Sequence, residues 1–559
     1  MNTSNQHQTK YLPEYLFWLI AIALLFIGLG DAGLFRSESR WAEIVREMIQ
    51  TGQYFNPTLN GESYFDKPLL SYWLVVVIHG LTGQLNEWTL RLPSAISGLV
   101  VLWSTWSLGK LLWDRQVALT AAWLLLLSYG FLGWARLGEA DMENLAVISL
   151  SVYWYWKHRD STRFFDYLVF YALIFIGAHA KGLAAITVPG LVLLPDLLTG
   201  KRWIKHINPR QFSALTIGFG LYLLPFLLIA ANSSDHLSDA IGLVIRENLQ
   251  RFFNPFDHIE PFYIYLIHWP TLMLPWAPLM VFGLVKLTGQ WKNLASQDKW
   301  VLLALLLIFV FFSASGSRRI YYILPILPYT TLALASCLKR EANVTTQGWG
   351  IRLEGWLIGL LIALEILSWF AWPVLEAKKG IVLPEQLRLL GLIPGILAAL
   401  TWFVAWKRRQ TMAVLFQVPE KLAMLLLPTL VLLGGYFLWQ QPMVDKFRSK
   451  QPFGLALKET VQSIPAQQIG LAVKGRPPLK VMFYAQMPFP AQRLHSTEEI
   501  QSFLDKPGYP KLLLLEGDYI ELPAGLASRS PDLAETIYPW EKRTKKKLRA
   551  WFVQQNRGD

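Results

Sequence analysis

Residues 31–50 read Asp31-Ala-Gly-Leu-Phe-Arg-Ser-Glu-Ser-Arg-Trp-Ala-Glu-Ile-Val-Arg-Glu-Met-Ile-Gln50, directly after an apolar run over residues 15–31. From Glu38 onward, Trp41, Ile44, Val45, Met48 and Ile49 share one face of a 3.6-residue period. Glu43, Arg46, Glu47 and Gln50 lie on the opposite face. An amphipathic helix placed beside an apolar run belongs in the plane of a membrane interface. Two compatible roles follow: floating at the headgroup level, or holding Glu38 at the membrane surface.

Apolar runs continue along the chain at 93–109, 116–134, 142–156, 165–179, 183–199, 212–231, 262–285, 300–314, 320–338, 353–374, 387–406 and 423–439. A helix of ~20 residues crosses a ~30 Å hydrocarbon core, so the shorter runs must borrow flanking residues. Hydrophobic residues make up 53% of the 559, while charged residues make up 16%. Soluble domains carry about a quarter charged residues. The mean hydropathy is +0.32. Together these exclude a purely soluble protein, a disordered chain and a coiled coil. One cysteine, Cys337, excludes an intrachain disulfide and a cysteine-based metal cluster. The net charge of +13 would suggest nucleic acid in a soluble protein, but here the excess sits in short loops and reports topology. The first run lacks a small-residue cleavage site, so no cleaved signal peptide is expected.

Leaving the run at 69–81 out of the spans puts Lys110, Arg115, Lys157, Arg159, Lys201, Arg202, Lys286, Lys339, Arg340, Lys407 and Arg408 on one side. The positive-inside rule makes that side cytoplasmic. Residues 69–82 then form a helix in the outer interface, within a first outer loop over 32–92. About 13 transmembrane helices result, with the N-terminus cytoplasmic and the C-terminus outside. After residue 440, short apolar runs (Ile469–Val473, Lys480–Tyr484, Leu512–Leu515) alternate with Pro, Gly and Gln. The expected architecture is an all-α polytopic membrane domain over 1–440, with a small extracytoplasmic α/β domain over 441–559. The basic tail at 541–549 reads as a solvated end or a contact with anionic headgroups.

On this topology charge gathers at the outer ends. The turn after Trp134 holds Arg136, Glu139, Asp141 and Glu143. His179-Ala-Lys181-Gly182 closes the fifth span. Arg246, Arg251, His258 and Glu260 follow the seventh. Arg318 and Arg319, with Tyr321 and Tyr322, are basic against the positive-inside trend, which points to an anion. Carboxylates suit a sugar acceptor and cations suit a phosphate. A membrane groove suits a lipid tail. The combination fits a lipid-phosphate-linked sugar donor used at the outer face.

The run Glu38-Ser-Arg40-Trp-Ala-Glu43-Ile-Val-Arg46-Glu-Met48 carries a resemblance. So do Thr51-Gly52, Asn60-Gly61, Tyr64-Phe65-Asp66-Lys67-Pro68, Tyr72-Trp73 and Arg91-Leu-Pro93-Ser94. The pattern resembles glycosyltransferase family 39, the ArnT-like group related to protein O-mannosyltransferases. It covers residues 15–340 by motif. The resemblance implies the GT-C fold and transfer of a sugar from a polyprenyl (undecaprenyl-type) phosphate. The acceptor would be a glycolipid such as lipid A, or a protein, at the outer face of a bacterial inner membrane. No metal and no other cofactor are expected. The family usually has an Asp-Glu pair where this chain has Ser37-Glu38, so Glu38 is the candidate base and Asp31 the fallback. The family's second-loop Asp falls on Asp141, which is a catalytic candidate with them. Its phosphate-binding cations fall on Lys67, Lys181, Arg251 and Arg318 or Arg319. Asp66, Arg40, Glu139, Tyr322 and His258 are candidate substrate-positioning residues. A hydroxyl acceptor would need a carboxylate base, and a phosphate acceptor would not. Two rivals are a lipid-linked sugar transporter or flippase, which would favour mid-span charges such as Glu365, and an inactive polyprenyl-lipid-binding scaffold.

Overall fold

The computed structural model describes residues 3–65, 67–232, 242, 259–341, 348–379, 385–446, 450–536 and 547–554. Helices dominate up to residue 446. The first is α1 (Thr3–Phe26), followed by α2 (Glu38–Thr51) and α3 (Leu70–Thr82). Next come α4 (Glu87–Leu112), α5 (Arg115–Leu126), α6 (Tyr129–Ala135), α7 (Asp141–His158), α8 (Phe164–Lys181) and α9 (Ala184–Thr199). Local chemistry sets several ends. Gly52 terminates α2 at φ 69°, a left-handed conformation that suits glycine. Asn86 and Thr89 form a reciprocal capping box at the start of α4.

The long helices run back and forth between two ends. At one end Arg115 pairs with Glu14, and Lys339 with Asp114. Asp298 there accepts from Trp113 Nε1 at 2.9 Å and Ser336 Oγ at 2.5 Å. At the other end α4 begins, α1 and α8 finish, and α7 starts. Between the ends the outward faces are apolar: Trp356 is 78% exposed and Phe370 63%. Exposed apolar side chains on long helices are what a lipid environment accommodates.

Among the described residues eight helices are long and apolar enough to cross a membrane, or up to ten if each bent pair counts as one span. The bent pairs are α5 with α6 (68°), and Tyr265–Leu272 with Ala277–Gly289 (114°). The bends touch, for Tyr129 N donates to Leu274 O at 2.7 Å. The expected runs lie mostly on helix, but α1, α7 and α9 fall short of that measure, so it does not establish the number thirteen. The helix expected at 69–82 forms as α3 and stacks on α2, with the Trp41 and Tyr72 rings 4.6 Å apart.

The polar face of α2 differs from expectation. Glu43, Arg46 and Glu47 are buried, not solvated. Glu47 accepts from Thr58 Oγ1 (2.6 Å), Asn60 N (2.6 Å) and Gly61 N (3.0 Å), holding a hairpin of β1 (Thr58–Leu59) and β2 (Glu62–Ser63). Asn60 (φ 56°) and Gly61 (φ 78°) make its left-handed turn. Arg46 pairs with Glu43 and donates to Met487 O at 2.8 Å.

Met487 belongs to the C-terminal sheet unit. Its strands are β3 (Ile469–Ala472), β4 (Gln492–Arg493), β5 (Lys511–Glu516), β6 (Leu533–Ala534) and β7 (Leu548–Val553), in the order β4-β3-β5-β7-β6. β3 is parallel to β4 and β5, while β7 is antiparallel to β5 and β6. The apolar run at Lys480–Tyr484 is helical, within Leu479–Ala485. One continuous core joins this unit to the first loop: Trp41, Ile44, Val45 and Met48 pack in the same cluster as Phe453, Leu457, Val481 and Tyr484. The basic residues 542–546 lie outside the described residues.

Candidate functional site

The site end is organised by a buried ion pair. Glu38 Oε1 accepts from Arg91 Nε at 2.8 Å and Gly138 N at 2.7 Å. Its Oε2 accepts from Arg91 Nη2 at 2.8 Å and Phe35 N at 2.6 Å. Arg91 also donates to the carbonyls of Leu29, Ala32 and Gly33 at 2.8–3.0 Å. This knot fixes the end of the first span, the start of α2 and the 136–140 turn against α4. Ser94, one helical turn after Arg91, donates to Glu139 O at 3.0 Å and Glu143 Oε1 at 3.3 Å. The Arg91–Ser94 motif therefore holds the 136–140 turn in place.

On that turn Asp141 opens α7 and pairs with Lys181 Nζ at the end of α8. Lys181 Nζ also sits 4.3 Å from the centre of the Tyr321 ring and 5.6 Å from that of Tyr322. Cation–π attraction adds to the ion pair there. Glu139 accepts from Ser37 Oγ at 2.5 Å. Burial first, and then the charge of Asp141, push the Glu139 carboxyl up to about 7.

The other expected residues are placed as follows. Asp31 is exposed at the end of the first span, near Arg136. Arg40 donates to Tyr64 Oη at 2.7 Å, so it braces the first loop. Lys67 lies just ahead of α3, whose Ser71 Oγ comes within 3.5 Å of Ala180 O, next to Lys181. Arg318 donates to Ser313 O from Nη2 at 2.9 Å and to the Glu260 carbonyl, so its guanidinium anchors a loop backbone. Arg319 precedes the 3₁₀ turn carrying Tyr321 and Tyr322. Asp66, Arg251 and His258 lie outside the described residues. Glu365 accepts from Gln440 Nε2 at 2.7 Å, a helix-to-helix bond.

Glu38, the expected base, sits in a different setting from a free carboxylate. Two guanidinium and two backbone N–H donors occupy its carboxylate, and the residue is fully buried. A carboxylate with four donors already in place acts as a brace for the site end. Sequence reading missed Ser37 and Ser94 as partners of the second turn. The only signal was their position inside the Ser37-Glu38 and Arg91–Ser94 motifs.

A family profile described as dolichyl-phosphate-mannose-protein mannosyltransferase matches residues 66–228. The chain is 29% identical over 396 residues to undecaprenyl phosphate-alpha-4-amino-4-deoxy-L-arabinose arabinosyl transferase of Pseudomonas savastanoi pv. phaseolicola, covering 68% of this chain and 71% of that one. It is 27% identical over 402 residues to the protein of the same description from Pseudomonas aeruginosa, covering 68% and 69%. Among solved structures, ArnT from Cupriavidus metallidurans bound to undecaprenyl phosphate superposes with a TM-score of 0.71 at 21% identity, over 96% of this chain and 97% of that one. Its apo state gives 0.68. The structural likeness covers more of the chain than the curated alignments do.

Proposed function

We propose, for a chain that is an ArnT-like membrane glycosyltransferase of the GT-C fold, that sugar transfer takes place where Asp141, Lys181, Tyr321 and Glu139 meet. The donor is a sugar on an undecaprenyl-type phosphate, and the acceptor is an envelope glycolipid or protein. The reaction occurs on the side that carries the C-terminal sheet, which we place outside the cytoplasm of a bacterial inner membrane. The positive-inside pattern supports that orientation.

One observation carries the reading. The ammonium of Lys181 is held between a buried carboxylate and two aromatic faces, at a point where three separate outer segments converge. A cation fixed in this way suits a phosphodiester leaving group. The acceptor oxygen forms its bond to the anomeric carbon as the bond from that carbon to the phosphate oxygen breaks. The electron pair leaves with the lipid phosphate, already an anion, so the leaving group needs charge stabilisation and no proton. Lys181 supplies that charge, with Lys67, Arg251 and Arg319 as further candidate contributors. Asp141 orients Lys181. Arg318, tied to backbone carbonyls, shapes its loop instead.

The test is transfer by purified protein in proteoliposomes containing envelope extract from cells that lack it. Undecaprenyl phosphate carrying 4-amino-4-deoxy-L-arabinose or mannose serves as the donor. The reading requires labelled product from a lipid-phosphate donor and none from a nucleotide sugar. Donor translocation without transfer would reject it.

A further inference from the structure

Among the described residues, four buried carboxylates gather around the 136–143 turn, and their surroundings divide their roles. Glu38 is saturated by Arg91, Phe35 N and Gly138 N. Asp141 is paired with Lys181. Glu143 lies inside α7 against Ser94. Glu139 stands between them on a non-helical turn, and its carboxylate hydrogen bond comes from a neutral hydroxyl, Ser37 Oγ. A neutral partner steers a carboxylate without offsetting its charge, whereas an arginine or lysine partner binds it as an ion pair. Its backbone is pinned by Ser94, and its neighbour Gly138 by Glu38. The carboxylate is thus presented from a fixed platform beside the Asp141–Lys181 pair.

We infer that Glu139, aimed by Ser37, is the general base of this enzyme, and that the acceptor group is therefore a hydroxyl and not a phosphate. The inference rests on the proposed transfer reaction and names the acceptor chemistry within it. The hydroxyl oxygen bonds to the anomeric carbon, its proton passes to a Glu139 carboxylate oxygen, and the lipid phosphate departs with the electron pair of the broken bond. Ser37 is a positioning residue. The charged and titratable groups acting on Glu139 are Asp141 from α7, Lys181 from α8 and Glu38 from α2; Glu143 and Tyr321 lie in the same cluster. Burial and the Asp141 charge place the carboxyl near working pH, where a base is effective. The competent form is the ionised one, so the rate rises with pH through the neutral range. Removing the Ser37 hydroxyl withdraws a bond that favours the ionised form and shifts that limb to higher pH.

The experiment compares wild type, Glu139→Gln, Glu139→Asp and Ser37→Ala in the proteoliposome assay with the same donors and envelope extract. Mass spectrometry and mild-acid lability assign each product as a glycoside or a glycosyl phosphate. Expected are glycosidic product and a fall of roughly 10²–10⁴-fold for Glu139→Gln. Donor affinity should be retained, Glu139→Asp should recover part of the rate, and Ser37→Ala should move the rising limb upward by on the order of half a pH unit. Glu139→Gln within about threefold of wild type, or a glycosyl phosphate product, overturns the inference while leaving the transfer reaction standing. Absence of transfer by wild type overturns both. Retained donor affinity in Glu139→Gln separates a lost base from a lost fold.

Discussion

Removing both Glu38 and Arg91 should destabilise the protein far less than the two single losses added together. In Glu38→Leu, Arg91 keeps its three carbonyl partners but loses two charge-assisted bonds. Gly138 N and Phe35 N lose their acceptor as well. A buried charge left without its partner costs about 3–5 kcal/mol. The remaining carbonyls pull the figure for Arg91 toward the lower end. In Arg91→Leu, Glu38 retains only two backbone donors in a fully buried position, which places that variant in the same range. The double variant buries no charge, so the penalties overlap and the coupling should be on the order of 3 kcal/mol. That corresponds to more than about a hundredfold in the unfolding equilibrium. Titration of mixed micelles with a denaturing detergent, followed by tryptophan fluorescence, measures the cycle. Additivity within ~0.5 kcal/mol would refute the view that Glu38 is a brace for the site end.

Three further outcomes are expected. Tyr484 Oη donates to Glu87 Oε1 at 2.6 Å and accepts from Leu34 N at 2.8 Å. Tyr484→Phe should therefore cost about 1–3 kcal/mol locally and speed amide exchange at Leu34, and unchanged protection would contradict the clamp. Gly61 has φ 78°, and a Cβ there would lie 3.0 Å from Pro490 Cβ. Gly61→Ala should cost about 1–2 kcal/mol and open the 58–63 hairpin to proteolysis, so wild-type resistance would contradict it. Lys181→Met should weaken undecaprenyl phosphate binding by about 1.5–3 kcal/mol, read by tryptophan quenching, and unchanged affinity would remove Lys181 from the phosphate site.

The helical membrane body was legible in the sequence because long apolar runs with one-sided basic loops have few alternative explanations. The convergence of the 136–143 turn with Lys181 was legible for a related reason. Buried charge at span ends is costly unless it is paired or functional. The fate of the polar face of α2 was not legible. Its period is that of a solvated helix, and the groups that cover Arg46, Met487 and Phe489, come from a unit more than 400 residues away. The setting of Glu38 was not legible for a similar reason. Its acidic type suggests a base, while its partners Arg91 and Gly138 are 53 and 100 residues distant in the chain. Residue type signals chemistry, but burial and partner charge decide which carboxylate keeps it.

The role of the segments that converge on Lys181 stands or falls with Asp141. Transfer from the undecaprenyl phosphate donor should be measured in proteoliposomes for wild type and Asp141→Asn at matched protein levels. The variant should fall below about one hundredth of the wild-type rate, since Lys181 loses the group that fixes it. Turnover near that of wild type would place the reaction elsewhere.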